Sequence, residues 1–163
     1  MSRWCIGIVV LCASAQATPG RAATADFVLV EKSAARLSLF KGGKTFAAFH
    51  IALGPHPEGP KQRQGDGRTP EGRYVLDARN VHSAYYKSLH VSYPNATDRT
   101  RAARLGASAG GDIMVHGQPN GWGASAALTQ QHNWTLGCIA LTNEDMDVVW
   151  AAVPTGTPIE IRP

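Results

Sequence analysis

Residues 134–141 read WTLGCIAL, and they place a cysteine directly after a glycine and directly before an apolar run. The run from Ile139 to Leu141 is typical of a short buried strand, which predicts that Cys138 stands where a strand begins. Two interpretations of this thiol compete. A free cysteine is usually a small buried hydrophobic residue, whereas a thiolate in a pocket beside a base is a nucleophile.

The N-terminus predicts export. Arg3 precedes an apolar run that is too short to span a membrane, and Ala15-Gln16-Ala17 fits the small-x-small rule for signal-peptide cleavage. We therefore predict a signal peptide over residues 1–17, with a cleavage site that could extend to residue 23, and a mature domain over residues 24–163. An uncleaved N-terminal anchor is the alternative.

Export bears on whether Cys138 has a structural or a chemical role. Cleavage removes Cys5 and Cys12, so Cys138 has no partner for an internal disulfide. A cysteine with a purely structural role could be replaced by Ala or Ser without the risk of oxidation. The compartment therefore favours a chemical role for Cys138.

Composition bounds the class of protein. The chain has 163 residues, of which 44% are hydrophobic and 17% charged, which suits one globular domain with a real core. Its formal charge of +4 comes with few interleaved aromatic residues, so nucleic acid is a poor partner and a carboxylate-bearing ligand is a better one. An ordinary solvated position is the alternative for any single cation. Basic residues flank two glycine-rich stretches: Lys61, Arg63, Arg68 and Arg73 lie around one, and Arg99, Arg101 and Arg104 around the other.

Short runs rich in β-branched and aromatic residues predict strands throughout the chain. A glycine pair at 42–43 predicts a hairpin turn, and residues 54–72 predict a long loop of a kind that often carries function. Start signals at Asn95 and Thr142 predict two helices, which end before Gly106 and Pro154. We therefore predict one mainly β domain with two short α-helices. The predicted strands are 27–30, 37–40, 46–53, 74–76, 89–93, 112–115, 138–141 and 159–161.

His116 is the predicted base for the thiol. It ends an apolar run and precedes a glycine, whereas Cys138 begins the next strand, so pairing of the two strands would bring both side chains to one sheet edge. An imidazole there can take the thiol proton and leave a thiolate. Gly137 permits a backbone conformation that is closed to other residues, so the N–H groups of Gly137 and Cys138 could converge on an oxyanion.

The other histidines offer weaker alternatives. His50, His82 and His90 fit ordinary strand faces, and His132 lies in a polar loop. A zinc site needs three or four ligands at short spacings, which one mature cysteine and scattered histidines do not provide. We predict no metal and no cofactor.

Five stretches together resemble the YkuD-type L,D-transpeptidases, bacterial enzymes that cross-link peptidoglycan. Each stretch is modest alone, but they occur in order and cover the chain from about Phe27 to its end. They are IMVHG at 113–117, GCI at 137–139, GDGRTPEGRY at 65–74, SLHVSYP at 88–94 and LTNEDM at 141–146.

The resemblance implies a mixed β-sandwich with the cysteine and histidine in a cleft. It implies Cys138 as the nucleophile, His116 as the general base, Gly137 and Cys138 as the oxyanion backbone, and Gly117 as the residue that orients the histidine. The cysteine attacks the amide after the L-centre of diaminopimelate in a tetrapeptide stem, the terminal D-alanine leaves, and an amine of a second stem resolves the thioester. The implied partners are peptidoglycan stem peptides in the periplasm, and carbapenems are expected to acylate the thiol.

The sequence departs from the family pattern at three positions. Thr135-Leu136-Gly137-Cys138 stands where most members have Ser-His-Gly-Cys, and Ala140 stands where they have Arg or Asn. We expect Arg68, Arg73 or Arg99 to supply the missing cation.

Weaker candidates for substrate binding are His90, Ser92, Tyr93, Trp122, Trp134 and Thr135. His90 and Ser92 alternate along one predicted strand and would face the cleft together, or else form an outward polar face with Tyr93 buried. Trp122 and Trp134 would form cleft walls or belong to the core. Hydrolysis of the same thioester and a catalytically silent wall-binding module are the alternative functions, and the intact pair of Cys138 and His116 argues against the second.

Overall fold

The structure is a computed structural model that describes residues 23–123 and 125–163. The predicted signal peptide lies outside these residues. In the part of the chain that is described, no helix is long and apolar enough to cross a membrane.

One mixed sheet dominates the fold. Eight strands of the described chain pair in the order β3-β2-β1-β8-β4-β5-β6-β7. The strands are β1 (Phe27–Glu31), β2 (Arg36–Lys41), β3 (Lys44–His50), β4 (Gly72–Ser83), β5 (Tyr86–Val91), β6 (Met114–His116), β7 (Ile139–Ala140) and β8 (Thr157–Arg162). The helices are α1 (Ala96–Arg104), α2 (Ser125–Thr129) and α3 (Asn143–Ala152).

The sheet curls until its two edges meet. Ala52, just after β3, exchanges two backbone hydrogen bonds with Ala140 of β7, at 2.9 and 2.8 Å. Because β3 and β7 stand at opposite ends of the strand order, this bridge joins the first edge to the last. The predicted mainly β class is confirmed, and the mixed architecture takes the form of a single curled sheet.

Strand alternation fills the space that the sheet encloses. Ile159 and Ile161 of β8 are buried, while Pro158, Glu160 and Arg162 beside them are more exposed; Leu37 and Leu39 of β2 are buried together with Ser38 between them. Burial of each such side chain contributes about 1.5–3 kcal/mol to the free energy of unfolding. The packed interior therefore fixes the positions of the strands that carry the site.

Both predicted helices are present and begin at the predicted caps. The side chain of Asn95 accepts the N–H of Asp98 and the carboxylate of Asp98 accepts the N–H of Asn95, both at 3.0 Å, which is a capping box. Thr142 caps α3 by accepting the N–H of Asp145 at 3.1 Å. The five-residue helix α2 was not predicted.

The predicted strand 74–76 is too short. β4 runs from Gly72 to Ser83 and forms a long hairpin with β5. The outer half of β4 is polar and exposed, so backbone pairing with β5 stabilises it rather than side-chain burial, and no apolar alternation marks it in the sequence. This hairpin carries Tyr85 to the face of the sheet that bears the site.

Candidate active site

Cys138 and His116 lie on the same face of neighbouring strands. β6 and β7 pair in parallel, with Val115 opposite Ile139 and His116 opposite Ala140. Residues opposite one another share a face, and Cys138 lies two residues before Ala140, so its side chain points to the same side as that of His116. Both line one cavity of about 450 Å³. The predicted pairing of these two strands is confirmed.

The thiol of Cys138 is held by backbone groups of the segment that leads into β6. Met114 donates its N–H to Sγ at 3.4 Å, and Sγ donates to the carbonyl oxygen of Asp112 at 3.5 Å. Burial raises the pKa of the thiol, and the N–H of Met114 and the positive charge of Lys61 oppose that rise only in part. The resting protein therefore holds Cys138 as a neutral thiol at neutral pH.

The ring of His116 is fixed in one tautomer. Its side chain is 3% exposed, and its Nδ1 lies 2.7 Å from the carbonyl oxygen of Gly117. A carbonyl can only accept, so Nδ1 carries the proton and Nε2 carries the lone pair. Burial lowers the pKa of His116, although the bond to Gly117 opposes this shift. The imidazole is thus neutral at neutral pH and available as a base.

Only glycine fits at position 117. A Cβ there would lie 2.6 Å from Oδ1 of Asn143 and 2.9 Å from Cβ of Tyr86. The close approach of these side chains fixes the carbonyl that holds the His116 ring. This geometry is consistent with the orienting role expected of Gly117.

Two aromatic rings line the histidine side of the cavity. The Tyr85 ring lies 4.7 Å from the His116 ring and 6.0 Å from the Trp134 ring. We call Tyr85 and Trp134 the aromatic wall, and the 450 Å³ space the aromatic cavity. Trp134 thus lies at the cleft, whereas Trp122 lines neither cavity, is exposed, and packs 6.1 Å from the Trp134 ring.

A tight turn presents the cysteine. Thr135 accepts the N–H of Gly137 on its hydroxyl at 3.1 Å, and the same hydroxyl donates to the carbonyl oxygen of Cys138 at 2.8 Å. Gly137 has a φ of +121°, and a Cβ there would lie 2.5 Å from the carbonyl oxygen of Arg68. Of the two N–H groups predicted to bind an oxyanion, that of Gly137 is therefore engaged by Thr135.

The long loop of residues 54–72 packs against this turn and is organised around Asp66. The Asp66 carboxylate accepts a hydrogen bond from Nζ of Lys61 at 2.8 Å. It also accepts hydrogen bonds from the backbone N–H groups of Gln62, Arg63 and Arg68 at 2.7, 3.0 and 3.1 Å. Burial would raise the pKa of Asp66, but these hydrogen bonds lower it to about 2. The loop is therefore an ordered wall of the site.

A second cavity of about 950 Å³ lies between this loop and the thiol. We call it the loop cavity. Three residues, Asp112, Leu136 and Cys138, line both cavities, so the thiol stands at their junction. Leu136, which replaces the histidine of the family pattern, is 85% exposed there.

The structure separates the candidate cations. Arg68 lines the loop cavity. Arg73 has a side chain 82% exposed that pairs with Glu160 at 3.4 Å, and Arg99 donates to the carbonyl oxygen of Pro94. Neither Arg73 nor Arg99 lines the two cavities, so among the three expected candidates the geometry favours Arg68.

The candidates on and after β5 lie outside the two cavities beside the thiol. His90 pairs with Asp77 at 2.6 Å, and the hydroxyl of Ser92 accepts the N–H of Val75 at 2.9 Å. Tyr93 is buried and donates to the carbonyl oxygen of Ala109 at 2.9 Å, and burial raises its pKa to about 12. Ser92 thus bonds to the neighbouring strand β4, and Tyr93 belongs to the core. This agrees with the alternative in which Tyr93 is buried.

Sequence reasoning missed several residues of the aromatic cavity. Ser88 lies directly opposite His116, so its position followed from the strand register once β5 and β6 were known to pair. Tyr85 carried no signal, because the hairpin that places it has no apolar pattern in its outer half. The remaining lining residues that were missed are Asn80, Ser83, Ala84, Asp112, Met114 and Leu136.

This fold is that of the L,D-transpeptidases. It superposes on the LD transpeptidase LdtMt1 in complex with imipenem with a TM-score of 0.52 and 18% identity, over 83% of this chain and 57% of that one. The family model of the YkuD L,D-transpeptidase catalytic domain matches residues 25–161, and the chain belongs to this family.

Two relatives share more of the sequence. The putative L,D-transpeptidase YafK of Escherichia coli K12 is 33% identical over 97 residues, which cover 58% of this chain and 32% of that protein. The helical cell shape determining protein Pgp2 of Campylobacter jejuni is 25% identical, with a TM-score of 0.63, over 85% of this chain and 48% of that one. The chain therefore spans about a third to a half of the length of these two relatives.

Proposed function

We propose that this chain is a periplasmic L,D-transpeptidase that cross-links peptidoglycan stem peptides through a thioester on Cys138. The single observation that carries the proposal is the position of the thiol. Cys138 lies where two cavities meet, on the same sheet face as a histidine whose Nε2 carries the lone pair. Membership of the YkuD family supports the same chemistry.

In the acylation step, Sγ of Cys138 attacks the carbonyl carbon of the amide after the L-centre of diaminopimelate. Nε2 of His116 takes the thiol proton, and the oxyanion of the tetrahedral intermediate accepts the N–H of Cys138. One such donor stabilises the transition state by about 3 kcal/mol. The C–N bond then breaks, the imidazolium gives its proton to the leaving amine of D-alanine, and a thioester remains.

In the second step, the amine of a second stem attacks the thioester and His116 takes one of its protons. The C–S bond breaks, an amide forms, and the thiolate is stabilised by the N–H of Met114 before it recovers a proton. The thiol and the imidazole both rest in their neutral forms, so His116 must take the thiol proton during acylation.

The linings of the two cavities support different positions for the two ends of the substrate. His116 lines the aromatic cavity and does not line the loop cavity. Both amines must exchange protons with His116, so the leaving D-alanine and the incoming amine occupy the aromatic cavity. The acyl part of the donor stem then extends into the loop cavity.

Product analysis tests this function. The purified chain is incubated with disaccharide tetrapeptides, beside Cys138→Ala, and the products are read by mass spectrometry. A cross-linked dimer that depends on Cys138 supports transpeptidation. A tripeptide alone replaces the proposal with an L,D-carboxypeptidase, and unchanged substrate favours a silent wall-binding module.

A further inference from the structure

The two cavities beside the thiol differ in charge. Lys61, Arg63 and Arg68 bring three positive charges to the loop cavity, against the negative charges of Asp66 and Asp112. The aromatic cavity has Asp112 as its one carboxylate among the described residues and is otherwise lined by neutral or imidazole groups. The acyl side of the thiol is therefore cationic and the amine side is not.

The positive charge of the loop cavity is available to a ligand. Asp66 is already occupied, since it accepts Lys61 and three backbone N–H groups. Over residues 23–123 and 125–163, neither guanidinium of Arg63 and Arg68 forms an ion pair with an acidic side chain. Two arginines thus line this cavity with no carboxylate of the described residues bound to them.

The backbone at both arginines is fixed. Asp66 accepts the N–H of Arg63 and the N–H of Arg68, and the carbonyl of Arg68 packs on the Cα of Gly137. Both arginines therefore start from anchored positions in the wall of the loop cavity. The Arg63 side chain is exposed, and Nη1 of Arg68 reaches Gly59, where a Cβ would lie 3.1 Å from it. A planar guanidinium in such a place binds a carboxylate through two parallel hydrogen bonds.

The strand that follows the thiol offers no competing polar group, because Ala140 of β7 is fully buried. We propose that Arg63 and Arg68 bind a free carboxylate in the acyl part of the donor stem, and that the loop cavity thereby selects acidic donors over amidated ones. This inference rests on the proposed function.

Donor peptides that differ only in amidation test this inference. We compare kcat/KM of acylation for a tetrapeptide that has free carboxylates on its second residue and on the D-centre of diaminopimelate with two analogues, each amidated at one of these carboxylates. The wild type is expected to favour the acidic donor over at least one analogue by roughly tenfold, because a charge-assisted hydrogen bond is lost. Added salt should reduce that preference, since screening weakens the pairing.

Three variants connect the preference to the residues. Arg68→Gln, Arg63→Gln and the double variant should lower kcat/KM for the acidic donor and bring the donors to equal rates. Arg73→Gln, which changes an exposed cation outside both cavities, is the matched control and should keep the wild-type preference. Thermal unfolding of each variant checks that the loop still folds.

The outcomes separate this inference from the proposed function. Equal acylation of all three donors by the wild type overturns the carboxylate site and leaves the transpeptidase proposal standing. A preference that survives in the folded double variant also overturns it. Failure to acylate any donor overturns the proposed function itself.

Discussion

The loop cavity and the aromatic cavity share one thiol but are built in opposite ways. The loop cavity is shaped by backbone: Asp66 collects three N–H groups, and residues without regular structure form its wall. The aromatic cavity is shaped by side chains: the rings of Tyr85, in the turn between β4 and β5, and of Trp134 pack against His116 of β6. The contrast indicates a division of tasks, in which one side binds an anionic chain and the other moves protons.

Among the variants, loss of the general base should have the largest effect on the rate of acylation. His116→Ala is expected to lower the rate of acylation about 10²–10⁴-fold at neutral pH, because it removes the imidazole that takes the thiol proton and a general base contributes about that much. His82→Ala, which removes an exposed imidazole from β4, is the control and should leave the rate unchanged. Acylation of His116→Ala at the wild-type rate would show that the base is misassigned.

A substitution that crowds the turn between the two cavities should have the second-largest effect on acylation. Gly137→Ala is expected to lower the free energy of unfolding by about 1–3 kcal/mol and to slow acylation, because its Cβ meets the carbonyl of Arg68 at a positive φ. Gly43→Ala also has a positive φ but meets nothing within 4 Å, so it separates backbone strain from crowding. Gly43→Ala should lose stability and keep the wild-type acylation rate. Equal acylation rates for Gly43→Ala and Gly137→Ala would contradict the contact between the loop and the turn.

The pH profile tests the electrostatics of the aromatic cavity. Burial lowers the pKa of His116 below its usual 6.5, so acylation should persist at pH 6.5 and fall only as the pH drops through the lower folded-state pKa. The unfolded chain binds this proton near pH 6.5, so the free energy of unfolding should begin to decrease below that value. Rates from carbapenem acylation and melts across pH give both curves, and an acid limb centred above pH 6.5 would refute the assignment.

Removal of one ring from the aromatic wall should have the smallest effect. Tyr85→Ala is expected to lower kcat/KM by roughly two- to tenfold, because an aromatic pair contributes about 0.5–1.5 kcal/mol and the His116 ring gains freedom. Tyr85→Phe keeps the ring and should match the wild type. An unchanged Tyr85→Ala would mean that Tyr85 does not position the histidine.

The sequence predicted one side of this comparison better than the other. The strands that carry His116 and Cys138 and the caps of α1 and α3 depend on local patterns, so they were predicted correctly. The hairpin that carries Tyr85 has a polar outer half and lacks such a pattern.

The loop cavity was harder still to predict. It depends on one carboxylate, Asp66, that accepts hydrogen bonds from groups two to five residues away within an irregular loop. Such bonds leave no periodic signal in the sequence. Spacing alone also does not say which of Arg68, Arg73 and Arg99 faces the thiol.

Adduct mapping with imipenem tests the central claim most directly, because the claim is that Cys138 at the junction of the cavities is the nucleophile. The purified chain and Cys138→Ala are each incubated with imipenem, and intact mass followed by peptide mapping locates any adduct. We predict one adduct per chain, on Cys138, and none on the variant. No adduct on the folded wild type, or an adduct on another residue that persists in Cys138→Ala, would contradict the account.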